Sequence, residues 1–380
     1  MDIQEITLEE LADLPESTYV LYDTRDEISW QYDTIPGADH VPDLWESARA
    51  GQLPMDKKIV LFCMHGTESA AYTQALSHLG FDAWNLKGGY AAWLQKQMRH
   101  QDRSAEIEET LRGRSPFHKK LFVPFAKAIN KYQMIRPGDR IAVCISGGKD
   151  SMLMAKLFQE LKRHRQIDFE PVFLVMDPGY NDLNRALIED NAVTMGVPLT
   201  FFRTSIFDAV DKVDKNPCYL CARMRRGNLY AKAKELGCCK IALGHHFDDV
   251  IETTLMGMLW GGQIQAMMPK LHSEHFEGME LIRPMYFVRE DDIKAWRDYN
   301  RLHFIQCACH FTDTCSSCRT DGSPVSKRMQ TKLLIRELKK TNPGVEQNLL
   351  SSVHNVNLDM VIAYKENGVK HSFLEKYDRQ

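Results

Sequence analysis

The chain has 380 residues, enough for two or three domains, and 44% of them are apolar, ample for packed cores. A formal net charge of −3 excludes a globally basic nucleic-acid binder, so any such surface must be a local patch. The start, Met1-Asp2-Ile3-Gln4-Glu5, is acidic and lacks an apolar h-region, and no run approaches the roughly eighteen apolar residues that span a bilayer. A cytoplasmic protein with no membrane partner is expected, and in that reducing compartment ten cysteines point to metal ligands or catalytic thiols rather than disulfides.

Residues 1–100 read as a small α/β unit. Thr18 to Tyr22 is strand-like and ends at Asp23-Thr24-Arg25, and Lys58 to Phe62 is a second buried strand that ends at Cys63 and is followed by a helix from Glu68 to Leu79. A cysteine on a strand-to-helix turn meets backbone N–H groups and the helix dipole, which favour a thiolate or persulfide. The series Asp23-x-Arg25, Ile35-Pro36-Gly37-Ala38-Asp39-His40, Cys63-Met64-His65-Gly66-Thr67-Glu68-Ser69 and Lys87-Gly88-Gly89-Tyr90-Ala91-Ala92-Trp93 resembles a rhodanese domain. The resemblance implies that Cys63 carries sulfane sulfur as a persulfide. Many rhodaneses have Arg where this chain has Glu68, which removes a cation from the loop, so a persulfide delivered by a protein donor is expected rather than thiosulfate.

Residues 101–117 are polar and charge-dense, which predicts an interdomain linker carrying a short exposed helix. Phe117 to Tyr132 has helical spacing, and Pro137-Gly138-Asp139 is a turn that feeds the next strand. Ile141 to Ile145 then breaks into Ser146-Gly147-Gly148-Lys149-Asp150-Ser151 and resumes as a helical pattern, the arrangement of strand, tight turn and helix N-terminus that grips phosphate. It is not the P-loop of kinases and GTPases, which has four residues between its glycines and Lys followed by Ser or Thr. It resembles the PP-loop of ATP pyrophosphatases, which split ATP between the α- and β-phosphates and adenylate a carbonyl oxygen. Asp150 would then help to place Mg²⁺.

Pro171 to Asp177 and Pro198 to Phe202 read as further strands with a helix from Asp182 to Met195 between them, and Lys240 to Leu243 runs into Gly244-His245-His246-Phe247-Asp248-Asp249. Strands alternating with helices predict a doubly wound parallel sheet, and the PP-loop resemblance implies that residues 118–358 form a PP-loop domain of adenine nucleotide alpha hydrolase-like fold. The nucleotide should contact Ser146 to Ser151, Asp177, Gly244 and His245 at strand ends, with Lys149, Asp150 and Asp249 in catalytic positions.

Cys218-Tyr219-Leu220-Cys221 can chelate one metal or cluster within a single turn of chain, and Arg223, Arg225 and Arg226 follow, well placed for phosphates. A second group, Cys307, Cys309, Cys315 and Cys318, could be a zinc site by itself. Cys144, Cys238 and Cys239 lack ligand geometry and are assigned to core or surface. Ser326 to Asn342 reads as a helix with six Lys or Arg, among them Lys327 and Arg328, with Leu333, Leu334 and Leu338 facing inward, which leaves either a basic stripe for a phosphate backbone or a solvated face. Met256, Met258, Met267 and Met268 are assigned to core packing near the nucleotide, and residues 359–380 to a C-terminal tail.

Taken together, these motifs over residues 117–358, with Glu252, Thr253, Ile282-Arg283-Pro284 and Arg289-Glu290, resemble the tRNA 2-thiocytidine biosynthesis family. That resemblance implies an ATP-dependent tRNA sulfurtransferase that replaces O2 of a cytidine by sulfur, with position 32 of tRNA favoured. It also implies a [4Fe-4S] cluster on Cys218, Cys221 and a later cysteine, for which register after the strand favours Cys307, with Cys309 next. Cys315 and Cys318 fall outside the family pattern, and an auxiliary metal or a resolving thiol is open. Expected partners are tRNA and a cysteine desulfurase or other persulfide donor; a homodimer is left open. Two rival readings remain at this point: thiolation of another base or a small molecule, and a sulfur-carrier or redox module without turnover.

Overall fold

Short apolar runs that each feed a helix build two mainly parallel sheets, because a parallel pair needs a crossover long enough to be a helix. The computed structural model describes residues 3–41, 44–49, 51–98, 100–206, 217–306 and 327–377. The first sheet comprises β1 (Glu5–Ile6), β2 (Tyr19–Asp23), β3 (Ala38–His40), β4 (Lys58–Phe62) and β5 (Ala83–Leu86) in the order β1-β5-β4-β2-β3, all parallel. Its centre is β4, where Ile59, Val60, Leu61 and Phe62 are fully buried, as expected for a strand covered on both faces.

The second sheet comprises β6 (Asp139–Ile145), β7 (Phe169–Asp177), β8 (Leu199–Arg203), β9 (Lys240–Ala242), β10 (Lys270–His272) and β11 (Glu280–Ile282), in the order β10-β11-β9-β6-β7-β8. Five strands are parallel and only the edge strand β10 is antiparallel, which bears out the α/β fold class. The chain runs outward from β6 through β7 to β8 and then returns to β9 on the other side of β6. The crevice outside the carboxyl ends of β6 and β9 is therefore a topological switch point, where such sheets bind ligands.

The short helix expected in the linker forms, but one face of it is packed rather than exposed. This helix, Ser104–Thr110, buries Ile107, and Leu111 just beyond is 1% exposed. Lys156, 1% exposed in the helix Lys149–Arg163, holds Glu108 at 2.9 Å and the Met195 carbonyl at 2.8 Å, while Trp296 donates to Thr110 at 2.9 Å. The helix expected from Phe117 to Tyr132 is split into a π-turn, His118–Phe122, and the α-helix Val123–Lys131. Pro124 cannot donate to the preceding turn, and the Val123 N–H reaches back to the His118 carbonyl.

By compactness the chain divides into Met1–His246 with Pro269–Pro324, which holds both sheets, and Phe247–Met268 with Val325–Gln380. The second unit packs the helices Phe247–Gly261, Lys327–Thr341 and Val345–Ser352. Two expectations fail in it. Leu333, Leu334 and Leu338 are exposed, and the 327–341 helix buries Thr331 and Ile335, the threonine hydroxyl being satisfied by the Lys327 carbonyl at 2.8 Å. Met258 and Met268 are about half exposed rather than core residues. The expected tail contains a hairpin, β12 (Ala363–Glu366) and β13 (Val369–Ser372), closed by Asn367 and Gly368, both at positive φ. Among the described residues no helix is long and apolar enough to cross a membrane.

One buried ion pair ties the first sheet to its neighbours. Asp23, with no solvent exposure, takes the Arg25 guanidinium through Nε at 3.0 Å and Nη2 at 2.7 Å, and Nη2 also donates to the Asp33 carbonyl at 2.6 Å. The guanidinium lies 3.9 Å from the Tyr90 ring centroid. Removing one member strands the other in the interior, so Arg25→Met is expected to lower the unfolding free energy by about 3–5 kcal/mol. Urea denaturation of the variant against wild type measures it, and Arg25→Lys, which lacks the planar fork, should recover only part of the loss.

Candidate functional site

The end of β4 presents Cys63, 2% exposed, ahead of the helix Thr67–His78. The Cys63 N–H donates to Ser69 Oγ at 3.1 Å, and that hydroxyl lies 3.4 Å from Cys63 Sγ and 2.7 Å from Asn85 Oδ1. Asn85 in turn donates to the Gly66 carbonyl at 3.0 Å, so a buried polar chain fixes both ends of the loop. Gly89 is irreplaceable on geometry: at φ +56° its added Cβ would stand 2.4 Å from the Cys63 carbonyl. The neighbouring Tyr90 and Ala91 N–H groups hold the Cys63 and Met64 carbonyls at 2.9 Å each. His65 and Glu68 are exposed on the loop and first helical turn, so the residue that stands in place of the family's arginine faces solvent.

The loop after β6 is built to leave a helix start open. Ser151 Oγ accepts the Ser146 N–H at 3.1 Å and donates to the Gly148 carbonyl at 2.9 Å, while Ser146 Oγ accepts the Gly148 N–H at 3.4 Å. Gly147 sits at φ +83°, and among the described residues no side chain caps the Lys149–Arg163 helix at Gly148, so its first N–H groups and dipole face the crevice. Lys149 is 5% exposed, with Nζ 3.2 Å from Asp150 Oδ2 and 3.5 Å from Glu290 Oε1. Burial works against its charge, but Asp150, Tyr32 and Glu290 together raise its pKa, so it stays cationic. Asp150 Oδ1 is buried with no hydrogen-bond partner among the described residues. A divalent cation between this oxygen and phosphates fits the site.

The flanking loops converge as the topology requires. Gly244, after β9, lies against the helix start, where an added Cβ would be in van der Waals contact with Ser151 Cα at 3.4 Å. His246, 6% exposed, places Nε2 3.9 Å from Asp150 Oδ1, and His245 beside it is half-buried. Asp177, 2% exposed at the end of β7, accepts the Gly179 and Tyr180 N–H groups at 2.9 Å each and Arg185 at 2.8 Å. Burial alone would raise its pKa, but these donors lower it, and Tyr180 OH lies 3.5 Å from the Ser146 carbonyl. Asp177 thus fixes the turn beside the loop. Asp249 belongs to the second unit, where Arg328 bridges it and Glu252.

Cys218 and Cys221 lie one turn apart near the start of the helix Pro217–Glu235. That spacing and their soft donor type suit an iron–sulfur cluster or zinc. Cys307, Cys309, Cys315 and Cys318 lie outside the described residues. Among the described residues no three His, Cys, Asp or Glu side chains gather as a metal site. Arg223 and Arg226 are exposed and Arg225 half-buried on the same helix; Lys327 and Arg328 are exposed on the second unit. Cys144 and Cys238 are buried, which pushes their thiols up to about 12 and about 11.

Tyr32, Asp33 and His303 are not legible in the sequence as site residues. Tyr32 OH donates to the Ile305 carbonyl at 3.0 Å, and its ring centroid is 5.7 Å from Lys149 Nζ. Asp33 holds His303 Nδ1 at 2.7 Å and accepts the Tyr90 hydroxyl at 2.9 Å. No local signal marks the Tyr32 and His303 contacts, because their members lie hundreds of residues apart. Glu290 does stand in the sequence pattern, beside Arg289, but nothing there points it at Lys149.

Residues 121–310 match the PP-loop domain family and residues 7–96 the rhodanese-like domain. The chain is 35% identical over 241 residues to the tRNA-cytidine(32) 2-sulfurtransferase of Anaeromyxobacter dehalogenans strain 2CP-C, covering 63% of this chain and 79% of that protein. It is 36% identical over 232 residues to the protein of the same name from Neisseria meningitidis serogroup C strain 053442, covering 60% of this chain and 69% of that one. Among solved structures, the U34-tRNA thiolase NcsA from Methanococcus maripaludis with its [4Fe-4S] cluster matches at 20% identity and a TM-score of 0.49, over 63% of this chain and 78% of that one.

Two outcomes follow from this geometry. Gly147→Ala would force a left-handed backbone on alanine and put its Cβ 2.6 Å from Ile188 and 2.7 Å from Ile305. A strain of about 1–3 kcal/mol is expected to weaken ATP binding roughly ten- to a hundred-fold, measured by calorimetric titration. With their thiols held neutral, Cys144 and Cys238 should resist iodoacetamide at pH 8 in the native protein and react in urea, read by peptide mass spectrometry.

Proposed function

We propose, for a chain that belongs to the family of the tRNA-cytidine(32) 2-sulfurtransferases, that it uses ATP to activate a cytidine of tRNA, position 32 favoured, and exchanges O2 for sulfur. The convergence of Ser146 to Ser151 with Gly244 and His246 at the switch point between β6 and β9 supports this reading most directly. It joins an open helix N-terminus, a buried cation and a carboxylate oxygen with no hydrogen bond among the described residues in one crevice.

The chemistry divides into two displacements. Cytidine O2 attacks the α-phosphorus of ATP, the bond to the bridging oxygen breaks, and pyrophosphate leaves with the electron pair. Two electrons from an external dithiol bring the persulfide's outer sulfur to the sulfide level, releasing the carrier thiol and leaving a disulfide. The sulfide-level sulfur then attacks C2, the C2–O2 bond breaks, and AMP leaves carrying the original oxygen. The 149–163 helix start and Lys149 take the phosphate charge, with Ser146 and Ser151 shaping the loop. Asp150 Oδ1 would hold Mg²⁺ against the phosphates. Cys218, Cys221 and Cys307 would hold a [4Fe-4S] cluster, which when bound offers an open iron position for sulfur. The exposed Arg223 and Arg226, with half-buried Arg225, are offered for tRNA phosphates.

Cys63 is proposed as the entry point of the sulfur, loaded as a persulfide by a cysteine desulfurase or another donor in the cytoplasm. The test supplies a persulfide donor as sole sulfur source with a dithiol as the two-electron reductant, and reads nucleosides by mass spectrometry alongside pyrophosphate release. Wild type is expected to form 2-thiocytidine. Cys63→Ala should lose it while retaining tRNA-dependent pyrophosphate release, and Cys307→Ala should lose both the thionucleoside and protein-bound iron. Full thiolation by Cys63→Ala would refute the relay.

A further inference from the structure

We propose that Tyr32, supplied by the sulfur-loading domain, is a positioning residue of the nucleotide site, so that this domain completes the PP-loop as well as carrying sulfur to it. The inference rests on the ATP reading above. Tyr32 ends the helix Glu27–Tyr32 of the first α/β region and reaches two parts of the second. Its ring stands 5.7 Å from Lys149 Nζ and so flanks the buried cation, which Asp150 and Glu290 hold through charge. Its hydroxyl donates to the Ile305 carbonyl at 3.0 Å.

That carbonyl bears on the loop itself. Ile305 is 5% exposed; its oxygen lies 3.6 Å from the position of a Cβ on Gly148, and its Cδ1 2.7 Å from the same point on Gly147. Ile305 therefore covers both glycines, and Tyr32 sets where its backbone lies. The contact is anchored on each side. Arg297 donates to the Tyr32 carbonyl and its guanidinium lies 5.6 Å from the Tyr32 ring. Next in sequence, Asp33 grips His303, which stacks edge-on against Trp93 at 4.9 Å and whose carbonyl accepts the Asn191 side-chain amide at 2.8 Å. Arg297 thus fixes the Tyr32 side, and His303, two residues before Ile305, fixes the side that covers the loop.

A contact that merely docked two domains would have no reason to end on the loop cation and the loop cover. Tyr32→Phe keeps the ring and removes the hydroxyl; Tyr32→Leu removes both. The full-length chain is titrated with α,β-methylene-ATP, whose α–β link cannot be cleaved, and persulfide loading of Cys63 and melting temperature are measured in parallel. Tyr32→Phe is expected to weaken analogue binding about three- to ten-fold, the loss of one hydrogen bond, and Tyr32→Leu to weaken it further. Cys63 loading should stay at the wild-type level in both. Wild-type affinity in both variants would overturn the proposal. So would a joint fall of affinity, Cys63 loading and melting temperature in Tyr32→Phe, the mark of a purely structural contact. Failure of the wild type itself to bind the analogue would instead refute the ATP reading on which the proposal stands.

Discussion

A lysine ammonium that is 5% exposed must be compensated or neutralised, and the way Lys149 keeps its charge organises the molecule. Asp150 arrives from the same helix turn, Glu290 from the start of the helix Glu290–Tyr299, and the Tyr32 ring from the first α/β region. Each comes from a different stretch of chain. The cation is thus a meeting point that cannot form until the second sheet, its return crossover and the N-terminal region are all in place. The same charge, unscreened by water, is what a polyphosphate entering the crevice would meet.

Around it, the backbone does much of the work usually given to side chains. Gly147 is required because its φ is positive and neighbours occupy the space of a Cβ, and Gly89 plays the same part for the cysteine loop. Both turns therefore follow one plan: a strand end, a glycine where another backbone or side chain presses close, and a helix start that, among the described residues, has no side-chain cap. Asp177 shows the complementary case, a carboxylate absorbed by two N–H groups and Arg185 to hold its own turn.

The parts that read correctly from sequence are those whose physics is local. Ser146 to Ser151 and Cys63 follow directly on apolar strands, and the switch-point crevice follows from strand and helix alternation. The parts that mislead depend on what lies opposite. Ile107 and Leu111, spaced by four, are a helical face hidden in a charged segment, and only their cover shows it is buried. Residue type points Leu333, Leu334 and Leu338 inward, whereas Thr331 can enter the interior because its hydroxyl bonds within the helix. Asn367-Gly368 is a readable hairpin turn in a stretch whose composition suggests a tail. Tyr32, Asp33 and His303 carry no sequence signal at all, since their meaning exists only in the pair.

The Asp33 and His303 contact also bears on how the chain is made. Domains emerge from the ribosome N-terminal first and fold as units. The first sheet is complete by Leu86, yet His303, which packs against Trp93 and joins Tyr90 in pairing Asp33, is made much later. For the time needed to translate some two hundred residues, at about 5–20 residues per second, that face waits without its partner. The surface on which the finished molecule closes is therefore the one its nascent form must protect.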